Sequence, residues 1–142
     1  MIAYFDTSAL VKLLVDESGS DVAADLWDSC DAVVSSRLAM PEVFAALGAA
    51  VRAHRLTDFH HGRALRSWEL LAGSIRWVEL TGAVSSDASE LALRHPLSGA
   101  DAVHLASCRV LGIESAILAT WDRRLWIAGK SEQFITFPAQ LG

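Results

Sequence analysis

Five short apolar runs, set apart by stretches of helical character, restrict the fold more than any other feature of this chain. They are Ile2–Phe5, Ala32–Ser35, Arg76–Leu80, Ala116–Thr120 and Phe134–Phe137. Each has the length of a strand, and the intervals between them hold amphipathic helices. Ser8–Val15 reads as the first helix. Ser18-Gly19-Ser20-Asp21 has the Ser-x-x-Asp form of a helix start, with Val22, Leu26 and Trp27 on the apolar side. Pro41 suits the first turn of a third helix, where its missing N–H is not needed. Thr57 caps a fourth, with Leu65, Trp68 and Leu71 on one face. Thr81–Arg94 is a fifth, stopped by His95-Pro96. Ser98–Leu111 is a sixth, stopped by Gly112. Asp122–Ala128 is a short seventh, ending at Gly129.

Strands that alternate with helices imply parallel pairing, because each crossover returns the chain to the same end of the sheet. The expected class is therefore α/β. Three layers follow, with a mostly parallel central sheet of four to five strands flanked by about seven helices. The 142 residues are enough for one domain with its own core, taken as residues 1–142. An apolar share of 52% argues against disorder. No apolar run reaches the roughly 18 to 20 residues of a membrane span. The N-terminus has neither a basic start nor a small-residue cleavage site, so a cytoplasmic protein is expected. Cys30 and Cys108 form no CxxC and read as buried small hydrophobes. Most of the five tryptophans read as core.

Carboxylates fall where such a fold gathers ligands, along the carboxyl edge of the strands. Asp6 ends the first strand. Glu42 lies in the first turn after the second, and Asp122 opens the helix after the fourth. Asp101 lies in the first turn of the sixth helix, whose direction is less constrained. Taken singly, each has an ordinary explanation, because acids at helix starts cap free N–H groups. Ser98-x-x-Asp101 is itself a capping pattern. Asp6 follows Ile-Ala-Tyr-Phe, however, and Asp101 precedes Ala-Val-His-Leu-Ala; a lone charge is costly in either setting. Carboxylates crowded at an apolar edge repel one another, and a divalent cation with oxygen preference relieves this.

These residues resemble the motifs of PIN domains. Asp6-Thr7-Ser8-Ala9-Leu10 is similar to their opening, and Ser36-Arg37-Leu38 with Pro41-Glu42-Val43 to their second acidic motif. Ser98-Gly99-Ala100-Asp101-Ala102-Val103-His104-Leu105-Ala106 is similar to the third, and Ala119-Thr120-Trp121-Asp122-Arg123-Arg124-Leu125 to the fourth. The resemblance covers the whole chain and is nearest to the compact VapC-type toxins of toxin–antitoxin pairs. It implies a Mg²⁺- or Mn²⁺-dependent endoribonuclease. Asp6, Glu42, Asp101 and Asp122 would bind metal directly or through water, with Thr7 and Thr120 as polar helpers. It also implies an RNA substrate, homodimerisation, and a VapB-type antitoxin docked on the first two helices and the fourth, in a higher assembly.

The net charge of −5 gives no general affinity for RNA, but metal at the site would attract phosphate. Arg37, Arg123 and Arg124 adjoin the acidic motifs. Either they contact RNA backbone or they make surface ion pairs. His104, one turn from Asp101, either faces the site or supports packing through a hydrogen bond. The cluster of Arg52, Arg55, Arg63 and Arg66 with His54, His60 and His61 is a binding patch or a solvated face. A haloacid-dehalogenase phosphatase would need an acid where Ser8 stands, and a phosphoacceptor receiver would need an acid beside Asp6. An RNA-processing PIN nuclease without antitoxin and a non-catalytic PIN-like RNA-binding module stay open.

Overall fold

A computed structural model describes residues 1–141. The chain runs β1 (Ile2–Phe5), α1 (Thr7–Leu14), α2 (Ser20–Ser29), β2 (Ala32–Ser36), α3 (Ala39–Arg52), α4 (Asp58–Ala72), β3 (Ile75–Val78), α5 (Gly82–Arg94), α6 (Gly99–Arg109), β4 (Ala116–Ala119), α7 (Arg123–Ser131) and β5 (Ile135–Phe137). The five strands form one sheet in the order β3-β2-β1-β4-β5. Every pairing is parallel, so the expected α/β/α class holds with five strands and seven helices.

The apolar strands are explained by burial on both faces. Ala3, Phe5, Val33 and Ala119 pack against α1 to α4, through Leu10, Leu26, Val43, Leu47 and Trp68. Tyr4, Val34 and Leu118 project to the opposite layer, meeting Val84 and Leu91 of α5, Leu105 of α6 and Leu125 of α7. β1 lies between β2 and β4, and the chain turns from building one side of the sheet to building the other between them. Sheets of this kind open a crevice at that switch, outside the carboxyl ends of the strands.

Two glycines differ in role from the sequence reading. Gly129 does not end α7, which continues to Ser131. It is a contact point instead: a Cβ there would lie 2.5 Å from Leu118 Cδ2 and 3.2 Å from Thr136 Cγ2. Its bare backbone lets α7 sit directly on β4 and β5. The second helix is entered through Gly19, at φ 92°, rather than capped by Ser18. The Ser20 hydroxyl donates to Val15 O (2.7 Å) and accepts from Glu17 N (3.0 Å), closing the turn. Gly19 also lies against the Trp121 indole, where a Cβ would come within 2.8 Å of Nε1.

Beyond the site edge, Glu132 at the end of α7 accepts from Arg94 (2.7 Å), His95 (2.8 Å) and Arg109 (2.9 Å), tying α5, α6 and α7 together. Gly129→Val is expected to overpack the α7–sheet contact and lower stability by about 1–3 kcal/mol. Urea unfolding checks this; an unchanged midpoint would show that α7 can lift off β4 freely.

Candidate active site

Asp6 lies just beyond β1, is 3% exposed, and is the hub of the switch-point crevice. α1 begins one residue earlier than its apolar pattern suggests, which makes Asp6 its N-cap. Oδ1 accepts from Ala9 N (2.9 Å) and from the Ser8 hydroxyl (2.7 Å). Oδ2 accepts from the buried Thr120 hydroxyl (2.6 Å). Thr120 Oγ1 in turn accepts from Asp122 N (3.0 Å), and Ser8 Oγ accepts from Trp121 N (2.8 Å). The ends of β1 and β4 are thus stitched by two hydroxyls, and Asp6 and Asp122 are held in one frame.

Asp122 is the N-cap of α7, its Oδ1 accepting from Leu125 N (2.9 Å). Asp101 lies in the first turn of α6, where its own N–H donates to Ser98 Oγ (3.2 Å). The capping role expected of helix-start acids is therefore real for Asp6 and Asp122. It occupies one carboxylate oxygen of Asp122 and leaves the other without a hydrogen-bond partner among the described residues.

Glu42 sits in the first turn of α3 and is half-buried. Its Oε1 accepts from Thr7 Oγ1 (2.7 Å) and from His104 Nε2 (2.7 Å). His104 is 2% exposed, and its Nδ1 lies 2.8 Å from the buried Tyr4 hydroxyl. The two sequence alternatives for His104 are both realised: it faces the site, and it does so through a hydrogen bond.

The electrostatics follow from this crowding. Burial pushes the Asp6 carboxyl above its usual value, against the hydrogen bonds from the Thr120 and Ser8 hydroxyls and the Ala9 amide. Asp101 is also raised, first by burial and then by the charges of Asp122 and Asp6. Asp101 therefore senses both Asp122 and Asp6 at this edge, although α6 enters from two helices away. Glu42 is different. Its partial burial would raise it, but the bonds from His104 and Thr7 hold it below the ordinary carboxylate value.

A family model described as the PIN domain matches residues 3–129, a span that holds all four acids. The chain belongs to the PIN-domain family. It is 51% identical to ribonuclease VapC45 of Mycobacterium tuberculosis over 99% of this chain and 97% of that protein. It is 35% identical to ribonuclease VapC46 of the same species, over 90% of both. Among solved structures, PAE2754 from Pyrobaculum aerophilum superimposes with a TM-score of 0.71, covering 96% of this chain and 89% of that one at 20% identity. The M. tuberculosis toxin VapC20, described as cleaving the sarcin-ricin loop, superimposes at 0.68, covering 94% and 96% at 21% identity.

Within this PIN fold the remaining sequence candidates separate. Thr7 and Thr120 lie at the acids, bonded to Glu42 and Asp6. Arg37 is engaged elsewhere: its guanidinium donates to Glu79 (2.7 and 3.1 Å) and covers the Trp77 ring at 5.2 Å. Arg123 and Arg124 are exposed at the start of α7 beside Asp122 and make no ion pair among the described residues. Ser8 and Tyr4 were not singled out as site residues. Ser8 stands inside the opening motif, but its partners Asp6 and Trp121 lie in two different elements. Tyr4 reads as core because its ring is core.

The donor set is all oxygen, which suits a hard divalent cation. Asp6 Oδ2, the free oxygen of Asp122, Asp101 and Glu42 Oε2 are the groups that could hold one. No three His, Cys, Asp or Glu side chains among the described residues close into a preformed cage. A cation that keeps several waters and takes one or two carboxylates needs no such cage.

The raised carboxyls have a consequence for stability. A group whose folded pKa lies above its unfolded one stabilises fully below the ordinary carboxylate range, and that contribution is lost as pH rises through the raised value. Asp101→Asn is therefore expected to raise the melting temperature of the metal-free protein at pH 7–8, with the gain shrinking as pH falls through the raised Asp101 value and gone once it is below the ordinary carboxylate range. A variant less stable than wild type at neutral pH would contradict the repulsion read from the geometry.

Proposed function

We propose that this chain is a divalent-metal-dependent endoribonuclease and the toxin of a VapBC-type toxin–antitoxin pair. The observation that carries the reading is the repulsion that Asp122 and Asp6 exert on Asp101, added to its burial, at the switch-point edge. The likeness to ribonucleases VapC45 and VapC46 supports RNA as the substrate.

In this reading Asp6, Glu42, Asp101 and Asp122 hold Mg²⁺ or Mn²⁺, directly or through water. The bound ion would supply an activated water and charge stabilisation at a phosphodiester. The chain's own residues do the positioning. Thr120 and Ser8 keep Asp6 in a single orientation, and Thr7 and His104 do the same for Glu42. Arg123 and Arg124 stand beside the acids with free guanidinium groups, suited to phosphates of the RNA strand.

The antitoxin is accounted for by a second feature. A groove of about 1010 Å³ runs between the end of α1, α2, the α3–α4 loop and α4. Leu13, Leu14 and Leu56 contribute apolar surface, and Lys12, Arg55 and Arg63 contribute positive charge against Asp16 and Asp21. An amphipathic segment with acidic residues fits this chemistry. Solved complexes of similar fold include VapBC2 from Rickettsia felis, bound to a fragment of its promoter, and FitAB, bound to DNA. By likeness to that group the chain would form a homodimer and a larger assembly with its antitoxin, in the cytoplasm.

Purified wild type is expected to cleave RNA with Mn²⁺, and Asp101→Asn and Asp6→Asn to lose at least about 100-fold in rate while keeping the fold, since Asn also serves as an N-cap at position 6 and the cap of α6 is Ser98 rather than Asp101. Equal cleavage by all three proteins, with circular dichroism unchanged, would refute the reading. Arg123→Ala is expected to weaken RNA binding and reduce its salt dependence by about one phosphate contact, leaving Mn²⁺ affinity as it was. RNA affinity unchanged across a salt titration would remove Arg123 from the interface.

A further inference from the structure

The Glu42 carboxylate is oriented through side chains that lead back into the core. Two donors, Thr7 Oγ1 and His104 Nε2, converge on Oε1, each at 2.7 Å. Thr7 Oγ1 also lies 3.2 Å from Nε2, so the three groups form a tight triangle. Oε1 has two acceptor positions, and both are taken. Oε2 has no protein hydrogen bond among the described residues and is the oxygen left for a cation.

The proton on Nε2 is what makes this arrangement work, and it is fixed from behind. A neutral imidazole carries one N–H. The Tyr4 hydroxyl, 2.8 Å from Nδ1, is fully buried, and burial holds its pKa well above the ordinary phenol value, so it keeps its proton. An O–H facing Nδ1 makes that nitrogen an acceptor and sends the ring proton to Nε2. Nδ1 lies on α6 and the hydroxyl on β1, in the layer packed by Leu105 and Leu118, with the Ser36 backbone and the Ser107 side chain as further partners of the hydroxyl.

We propose that Tyr4 and His104 are positioning residues that lock His104 as its Nε2–H tautomer and thereby present Glu42 to a metal through Oε2 alone. The inference rests on Glu42 being a cation ligand, as read above. Neither residue touches RNA or metal. Partners that orient a ligand in this way typically change metal affinity about 10- to 100-fold when removed.

Two measurements test it. In metal-free protein labelled with ¹⁵N-histidine, two-bond ¹H–¹⁵N spectra at pH 7.5 should show His104 as the Nε2–H tautomer, and Tyr4→Phe should yield mixed tautomers. An Nδ1–H pattern, or an imidazolium, in wild type would overturn the proposal. The second measurement is Mn²⁺ binding by electron paramagnetic resonance, with no RNA present. His104→Gln keeps an N–H donor at the Nε2 position and should bind within about threefold of wild type. His104→Asn keeps only the Nδ1 side and should bind at least about 10-fold more weakly. Equal affinities for the two variants, alongside normal binding by wild type, would overturn the lock while leaving the nuclease reading intact. Absence of Mn²⁺ binding by wild type would overturn the ligand reading of Glu42, and the proposal with it.

Discussion

Parallel pairing on both sides of β1 sets the rest of this structure. Because β2 and β4 run in the same direction as β1, their carboxyl ends open at one edge, and the residues leaving them meet there. Asp6 leaves β1, Thr120 and Asp122 leave β4, and Glu42 follows β2 in the first turn of α3. The carboxylates do not attract one another into place. They are delivered by strands and helices whose stability comes from two apolar layers packed on either face.

The edge is therefore a place where the fold accepts electrostatic cost. Burial raises Asp6 and Asp101, and neighbouring charge adds to it at Asp101, while hydroxyl donors offset part of that cost at Asp6 and hydroxyl and imidazole donors reverse it at Glu42. Sites that bind cations commonly hold such tension in the free protein, and release it on binding. The same tension explains why removing Asp101's charge should stabilise the chain while disabling it, a trade between stability and activity that is common at functional sites.

Much of this was legible in the sequence because it is local. Strand runs, the Thr57 and Ser98 caps and the strand-end position of Asp6 depend on residues within one turn of each other. What was not legible depends on contacts across the chain. Nothing near Gly129 announces Leu118 and Thr136, so a helical glycine looked like a stop. Glu42 and His104 are 62 positions apart, and Tyr4 and His104 are 100 apart, so neither pairing leaves a pattern in a window. Arg37 meets Glu79 because β2 and β3 are neighbours in register, which only the strand order decides. The acids were found by their chemistry and order; how each oxygen is used required the fold.

The account stands or falls on whether these carboxylates hold a cation. The most direct measurement is anomalous diffraction from crystals of the wild-type protein soaked in Mn²⁺. The account predicts a peak at the switch-point edge within ligand distance of Asp101 or Asp6, absent in Asp101→Asn crystals. A Mn²⁺ peak elsewhere on the molecule, or none at a concentration that saturates RNA cleavage, would contradict it.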